Sequence, residues 1–211
     1  MRKQKKMNKR QITGIFGILT TSSFLIGFAV LYWFFNPKVF SATDGLLVVG
    51  LNVSGMNGLE WTQYFNYFFV GLLIISFSVS LLKNTNNEGL NKVGKILILL
   101  SGIIYTTLGF IEFDENSYIT IWICLSQLVL TLALGSIGFI LLSDDYMRIY
   151  KSKVVKYIIF SIGLLIILNG ILQVFAKDIY PPFMGLFSWL IYFMGLGFIG
   201  ITLILKPAHN I

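Results

Sequence analysis

The stretch Tyr118–Leu142 constrains this chain more than any other. It is apolar, carries no charge and is long enough to cross a bilayer. Steps of three and four along it reach Thr120, Cys124, Gln127, Thr131, Gly135 and Gly138. Those positions share one face of a helix, and each is small or polar. The other faces are dominated by Ile, Leu, Val, Phe and Trp. In lipid, small residues let helices approach and buried polar groups need partners, so such a stripe faces protein. This predicts a central helix with others packed against its stripe.

A soluble domain carries about 25% charged residues. This chain carries 12%, is 56% hydrophobic and has a mean hydropathy of +0.80, so it belongs in a membrane. A net charge of +7 could suggest nucleic acid. The charges are distributed by membrane side instead, and no nucleic-acid partner is expected. Cys124 is the single cysteine and His209 the single histidine. Within one chain this excludes a disulfide, a zinc cluster, bis-histidine haem ligation and an intramembrane Ser-His dyad. No cofactor and no metal site are expected.

The predicted fold class is all-α, a polytopic transmembrane bundle of six helices. A basic tail at 1–11 precedes a membrane domain at 12–206, and a short tail occupies 207–211. The spans read as Ile12–Phe35, Tyr64–Leu82, Ile96–Ile111, Tyr118–Leu142, Tyr157–Ala176 and Phe183–Leu205. The first is longer than the apolar core of a signal peptide, about 7–15 residues, so it reads as retained. An outer loop at 36–63 begins with the helix stop Asn36-Pro37 and contains Gly45, Gly50, Gly55 and Gly58. It reads as an ordered cap over the bundle, extended or re-entrant in part. Lys83–Lys95 and Ser143–Lys156 read as polar loops.

Lysine and arginine divide 14 to 2 between the two sides of this topology. By the positive-inside rule both termini are cytoplasmic, in a plasma membrane. Trp33, Trp61, Trp122 and Trp189 then fall in or near the outer half, as an aromatic belt would. The third and fourth spans also resemble the fifth and sixth. Lys95, Gly102 and Gly109 recur in spacing as Lys156, Gly163 and Gly170, and Leu134-Gly135-Ser136-Ile137-Gly138 matches Leu196-Gly197-Phe198-Ile199-Gly200. Chance recurrence of Gly, Leu and Ile in membrane helices explains the same pattern as well as a parallel hairpin repeat does.

Gly195-Leu196-Gly197-Phe198-Ile199-Gly200 fits the dinucleotide-binding pattern, but it lies inside a span, where close helix packing accounts for it better. Asp144-Asp145 with Arg148 resembles a magnesium-diphosphate cluster without further acidic partners, and reads as a helix N-cap. The spans themselves hold no charge; all 25 Lys, Arg, Asp and Glu residues fall in tails, loops or span ends. That argues against proton coupling and intramembrane acid-base catalysis, both of which use titratable groups. The chain is therefore expected not to be an enzyme.

Neutral polar residues remain inside the spans. Asn66, Gln127, Asn169 and Gln173, with Trp122 and Trp189 at similar depth, are the candidate ligand-binding residues. Together they could line an outward-facing pocket for an uncharged or amphipathic ligand. Interhelical hydrogen bonding that only holds the bundle together is the competing reading.

The plan resembles a six-span family known as domain-of-unknown-function family 998, within the wider group of Frag/DRAM/Sfk-like membrane proteins. The carrying residues are Asn36-Pro37 through Asn52-Val53-Ser54-Gly55, then Trp61, Phe65-Asn66, Gly71-Leu72-Leu73, Gly102, Gly109 and the acidic exit Glu112-Phe113-Asp114. The resemblance implies a six-span fold and no particular activity. The leading expectation is non-enzymatic binding, sensing or passive handling of a small apolar or lipid-like molecule. One alternative is the substrate-binding subunit of a vitamin transporter, for which Thr13, Gly14 and Gly17 are the nearest approach to a docking face. Another is a structural partner of a second membrane protein. Neither departs from a chain whose first partner is the lipid bilayer.

Overall fold

The computed structural model describes residues 8–34, 61–85, 89–111, 118–150, 153–175 and 184–205. Regular structure among them is entirely helical. Helix α1 is Lys9–Phe34. Helix α2 opens as a π-helix, Thr62–Phe69, and continues as Val70–Asn84. Helix α3 is Gly89–Thr107 and ends in a 3-10 turn, Leu108–Phe110. Helices α4, α5 and α6 are Tyr118–Tyr150, Lys153–Phe175 and Met184–Leu205. All 6 are long and apolar enough to cross a membrane, which makes the chain a multi-pass membrane protein. Residues 1–7, 35–60 (most of the expected cap), 86–88, 112–117, 151–152, 176–183 and 206–211 lie outside the described residues.

Each helix packs antiparallel on the next, and α1 closes a ring against α6. Lipid tails are as apolar as leucine, so close backbone approach must replace the hydrophobic effect between helices. Glycine provides that approach. A Cβ on Gly14 would stand 2.5 Å from the Gly200 carbonyl, and one on Gly17 would stand 2.8 Å from the Leu196 carbonyl. The Thr21 hydroxyl then reaches across and donates to the Phe193 carbonyl at 2.6 Å. Gly94 and Gly138 join α3 to α4 in the same manner, and Gly163 seats α5 on the Ser136 carbonyl of α4. At the Lys9 end, Thr13, Ser80 and Asn84 tie α1 to α2 through their side chains.

The stripe on α4 faces protein. Cys124 and Thr131 are buried, Gly135 lies on the Tyr192 ring, and Gly138 lies on Ile98 and the Gly94 carbonyl. Gln127 is partly exposed, and the Thr120 side chain lies outside the description. Helix α4 is central as expected, with α3, α5 and α6 all packed against it, while α6 is the most enclosed helix. In α6, 61% of the apolar window is buried, against 44% in α4 and 22% in α5. The cause is the distribution of small residues. In α6, Gly197 and Gly200 lie toward α1, Gly195 toward Phe139 and Ile162, and Ser188 toward α5.

Two expected loops are largely helix. No Gly or Pro interrupts Ser143–Lys153, so α4 runs on to Tyr150 and α5 starts at Lys153. Likewise α3 starts at Gly89, whose φ of +56° suits glycine. This places Lys95 inside a packed helix, where it is 0% exposed and engaged with a partner. Lys95 keeps to a span end, but as part of the helix and not of a loop. Gly102 packs on Ile74 and Thr106 on Gly71, so Lys95 stands level with Leu81 in the last turn of α2. A cation there complements the negative end of that helix dipole.

Candidate functional site

Toward the end of the bundle away from Lys9 lie the buried polar side chains Asn66, Asn169 and Ser188. The π-helical entry to α2 begins the layer. Trp61 stacks on Phe65 at 4.5 Å and Phe65 leans on Phe69 at 5.3 Å, forming an aromatic ladder down one side. The Trp61 indole N–H donates to the Gly27 carbonyl at 3.2 Å, and the Gln63 amide donates to the Ile111 carbonyl at 2.6 Å. The segment is thus clamped to α1 on one side and to the end of α3 on the other. π-Helical turns occur frequently at functional sites.

Inside the clamp, Asn66 is 0% exposed. Its Oδ1 lies against Gly27, so closely that any side chain at position 27 would collide with it. Among the described residues, neither its Nδ2 nor its Oδ1 has a hydrogen-bond partner. An unpaired buried amide costs about 1–3 kcal/mol, and native structures hold few of them.

The next residue turns the other way. Tyr67 meets Tyr105 edge-on at 5.3 Å, and Tyr105 meets Trp189 and Phe193 at 5.3 Å and 5.8 Å. Phe193 stacks on Phe24 of α1 at 3.8 Å. One turn further in, the Ser101 and Tyr192 hydroxyls bond at 2.8 Å. Trp189 is buried, and its indole N–H has no partner among the described residues. The register of α1 on α6, with Gly17 at Leu196 and Thr21 at Phe193, brings Gly27 level with Ser188 and Trp189. Asn66, which packs on Gly27, is therefore level with Trp189, whose ring packs on Tyr105, Tyr192 and Phe193.

The other candidate residues are on α4 and α5. Asn169 is buried on α5 and donates to the Ser188 hydroxyl of α6. Gln173 follows one turn later, with a buried Nε2 that lacks a partner. Gln127 accepts a hydrogen bond from Thr107 at 3.2 Å, in a partly exposed contact between α3 and α4. Trp122 is 69% exposed and faces away from the bundle. Trp33 is also exposed, so both suit an aromatic belt, whereas Trp189 belongs to the core and not to that belt.

Sequence reasoning missed Gly27, Tyr67, Ser101 and Tyr105. Two signals were present. Ser101 and Tyr105 are one helical turn apart, and Gly27 is the lone glycine in the bulky run Leu25-Ile26-Gly27-Phe28. Among the described residues the half of the bundle away from Lys9 has no Lys, Arg, Asp or Glu. The site can therefore hold a ligand by hydrogen bonds and aromatic contact, without ion pairing. No protein-family model, curated protein or solved structure matches the chain.

Proposed function

We propose that this is a plasma-membrane protein that binds, senses or passively handles a small lipid-like molecule, without catalysing a reaction on it. The single observation that supports this most is Asn66. Its amide is fully enclosed in a π-helical turn and leaves both donor and acceptor unused. A residue placed only to hold helices together would spend its amide on a neighbouring helix, as Asn169 does on Ser188. Trp189 supplies a second unused donor at the same depth, and Gln173 a third on the far side of α6. The charge division supports cytoplasmic termini with this layer toward the outer face. The resemblance to the six-span family and the hairpin repeat are part of the same proposal.

The vitamin-transporter reading needs an outward docking face on α1. Gly14 and Gly17 are instead packed on α6, and Thr13 is bonded to α2. The structural-partner reading has one observation in its favour: Gly170 lies on the least enclosed helix with nothing within 4 Å of a Cβ placed there.

Native mass spectrometry of the gently extracted protein tests the proposal. The wild type is expected to retain a lipid in stoichiometric amount, and Asn66→Leu to lose it while staying folded and monodisperse. Equal retention by both proteins would remove Asn66 from the site.

A further inference from the structure

At the end of the bundle where α1 begins, Lys9, Lys83 and Lys92 are exposed, on α1, α2 and α3 in turn. The three helices touch at that end. Thr13 Oγ1 of α1 lies 2.7 Å from Ser80 Oγ of α2, and Asn84 Nδ2 donates to Thr13 Oγ1 at 3.0 Å. Lys9 is one turn before Thr13, and Lys83 precedes Asn84. Gly102 packs on Ile74 and Gly71 on Thr106, which sets Lys92 level with Asn84. The three lysines therefore stand within about one helical turn of a single level, on neighbouring helices. Among the described residues none of the three is in an ion pair. Like charges so placed repel one another, and anions beside them relieve the repulsion.

The faces they occupy identify the anion. Lys83 lies above the exposed Leu72 on one side of α2, three turns away. Lys92 lies above the exposed Ile96 and Ile103 of α3, and Lys9 beside the exposed Ile12 of α1. Lys95 points the other way, enclosed and engaged with a partner. In a multi-pass protein the exposed apolar faces meet hydrocarbon, so lysines at their ends extend into the headgroup layer. The negative groups at that level are lipid phosphates. A soluble acidic protein would have to displace those headgroups first. We propose that the Lys9 end of α1, α2 and α3 is a binding surface for anionic phospholipid. Phosphate headgroups lie at Lys9, Lys83 and Lys92, and acyl chains run along the apolar faces below them. This surface is at the opposite end of α2 from Asn66 and does not depend on it.

The full-length protein in detergent micelles is titrated with phosphatidylglycerol and with phosphatidylcholine of the same acyl chains, and bound lipid is read by native mass spectrometry. Phosphatidylglycerol is expected to bind more tightly, with the margin shrinking as salt is raised. Lys9→Gln, Lys83→Gln and Lys92→Gln should each weaken it about fivefold and the triple variant about a hundredfold, with phosphatidylcholine unmoved. The triple arginine variant keeps the charge and should keep the preference. Lys153→Gln removes the same charge from α5, which packs on α4 and α6, and should change little. Asn66→Leu should leave phosphatidylglycerol binding unchanged, which separates this surface from the site proposed above. Equal binding of the two lipids by the wild type overturns the proposal, as does a preference that survives in the triple glutamine variant. A loss in Lys153→Gln as large as in the other single variants would make overall charge the cause and overturn it as well. Tighter binding of a glutamate-rich peptide than of phosphatidylglycerol would replace the lipid by an acidic protein.

Discussion

Tyr192 fills space with its ring and pairs with its hydroxyl, and the two roles can be separated. The ring occupies the gap left by Gly135, and the hydroxyl bonds to Ser101 at 2.8 Å. Ser101→Ala strands the Tyr192 hydroxyl in a buried site and should destabilise by about 1–3 kcal/mol. Tyr192→Phe should cost about the same, and the double variant clearly less than their sum, as a double-mutant cycle on thermal or denaturant unfolding would read. Additive effects would mean that the two hydroxyls act independently. Asn66 is the opposite case, a polar side chain with nothing to lose in the empty protein. Its candidacy was legible in the sequence as one amide among several inside uncharged spans. What the sequence could not say was which amides pair. Asn169 finds Ser188 and Gln127 finds Thr107, whereas Asn66 meets a glycine. Those outcomes depend on register between helices far apart in the chain.

At the scale of single helices, glycine has two different meanings here. Gly135 is a close-packing site, so Gly135→Leu must displace Tyr192 and should destabilise by about 1–3 kcal/mol or more. Gly170 touches nothing. Gly170→Ala should therefore stabilise α5 by about 0.5–1 kcal/mol through helix propensity alone. A loss of stability there in lipid-free detergent would reveal a contact that the isolated chain does not show. The apolar run length made all six helices legible, and the α4 stripe was legible as a protein-facing surface. The close enclosure of α6 was not. Its small residues are spread over several faces, so no single periodic stripe announces them, and burial on all sides depends on how the ring closes. The helical continuations into Ser143–Lys156 and Lys83–Lys95 were missed because polar composition suggested loops. Ser143–Lys156 has no Gly or Pro to stop a helix, and in Lys83–Lys95 the helix starts at Gly89. The π-helical turn had no period to reveal it.

For the whole molecule, the ring of antiparallel helices puts Lys9, Lys83, Lys153 and Lys156 at one end, and the polar layer toward the other. The proposed orientation predicts that, in a Cys124→Ser background, a cysteine at Asp44 reacts with an impermeant thiol reagent in intact cells and one at Glu88 does not. The reverse pattern would invert the bundle and place the polar layer toward the cytoplasm. The claim on which the functional account rests is that Asn66 is kept for a ligand and not for the fold. Thermal unfolding of wild type and Asn66→Leu, each stripped of lipid and each again with added membrane lipid extract, measures this directly. Without lipid, the leucine variant should be the more stable by about 1–3 kcal/mol, because it removes an unpaired buried amide. Added lipid should raise the midpoint of the wild type, which alone retains the site. A leucine variant that is less stable than wild type without lipid, with both midpoints rising equally when lipid is added, would contradict the account.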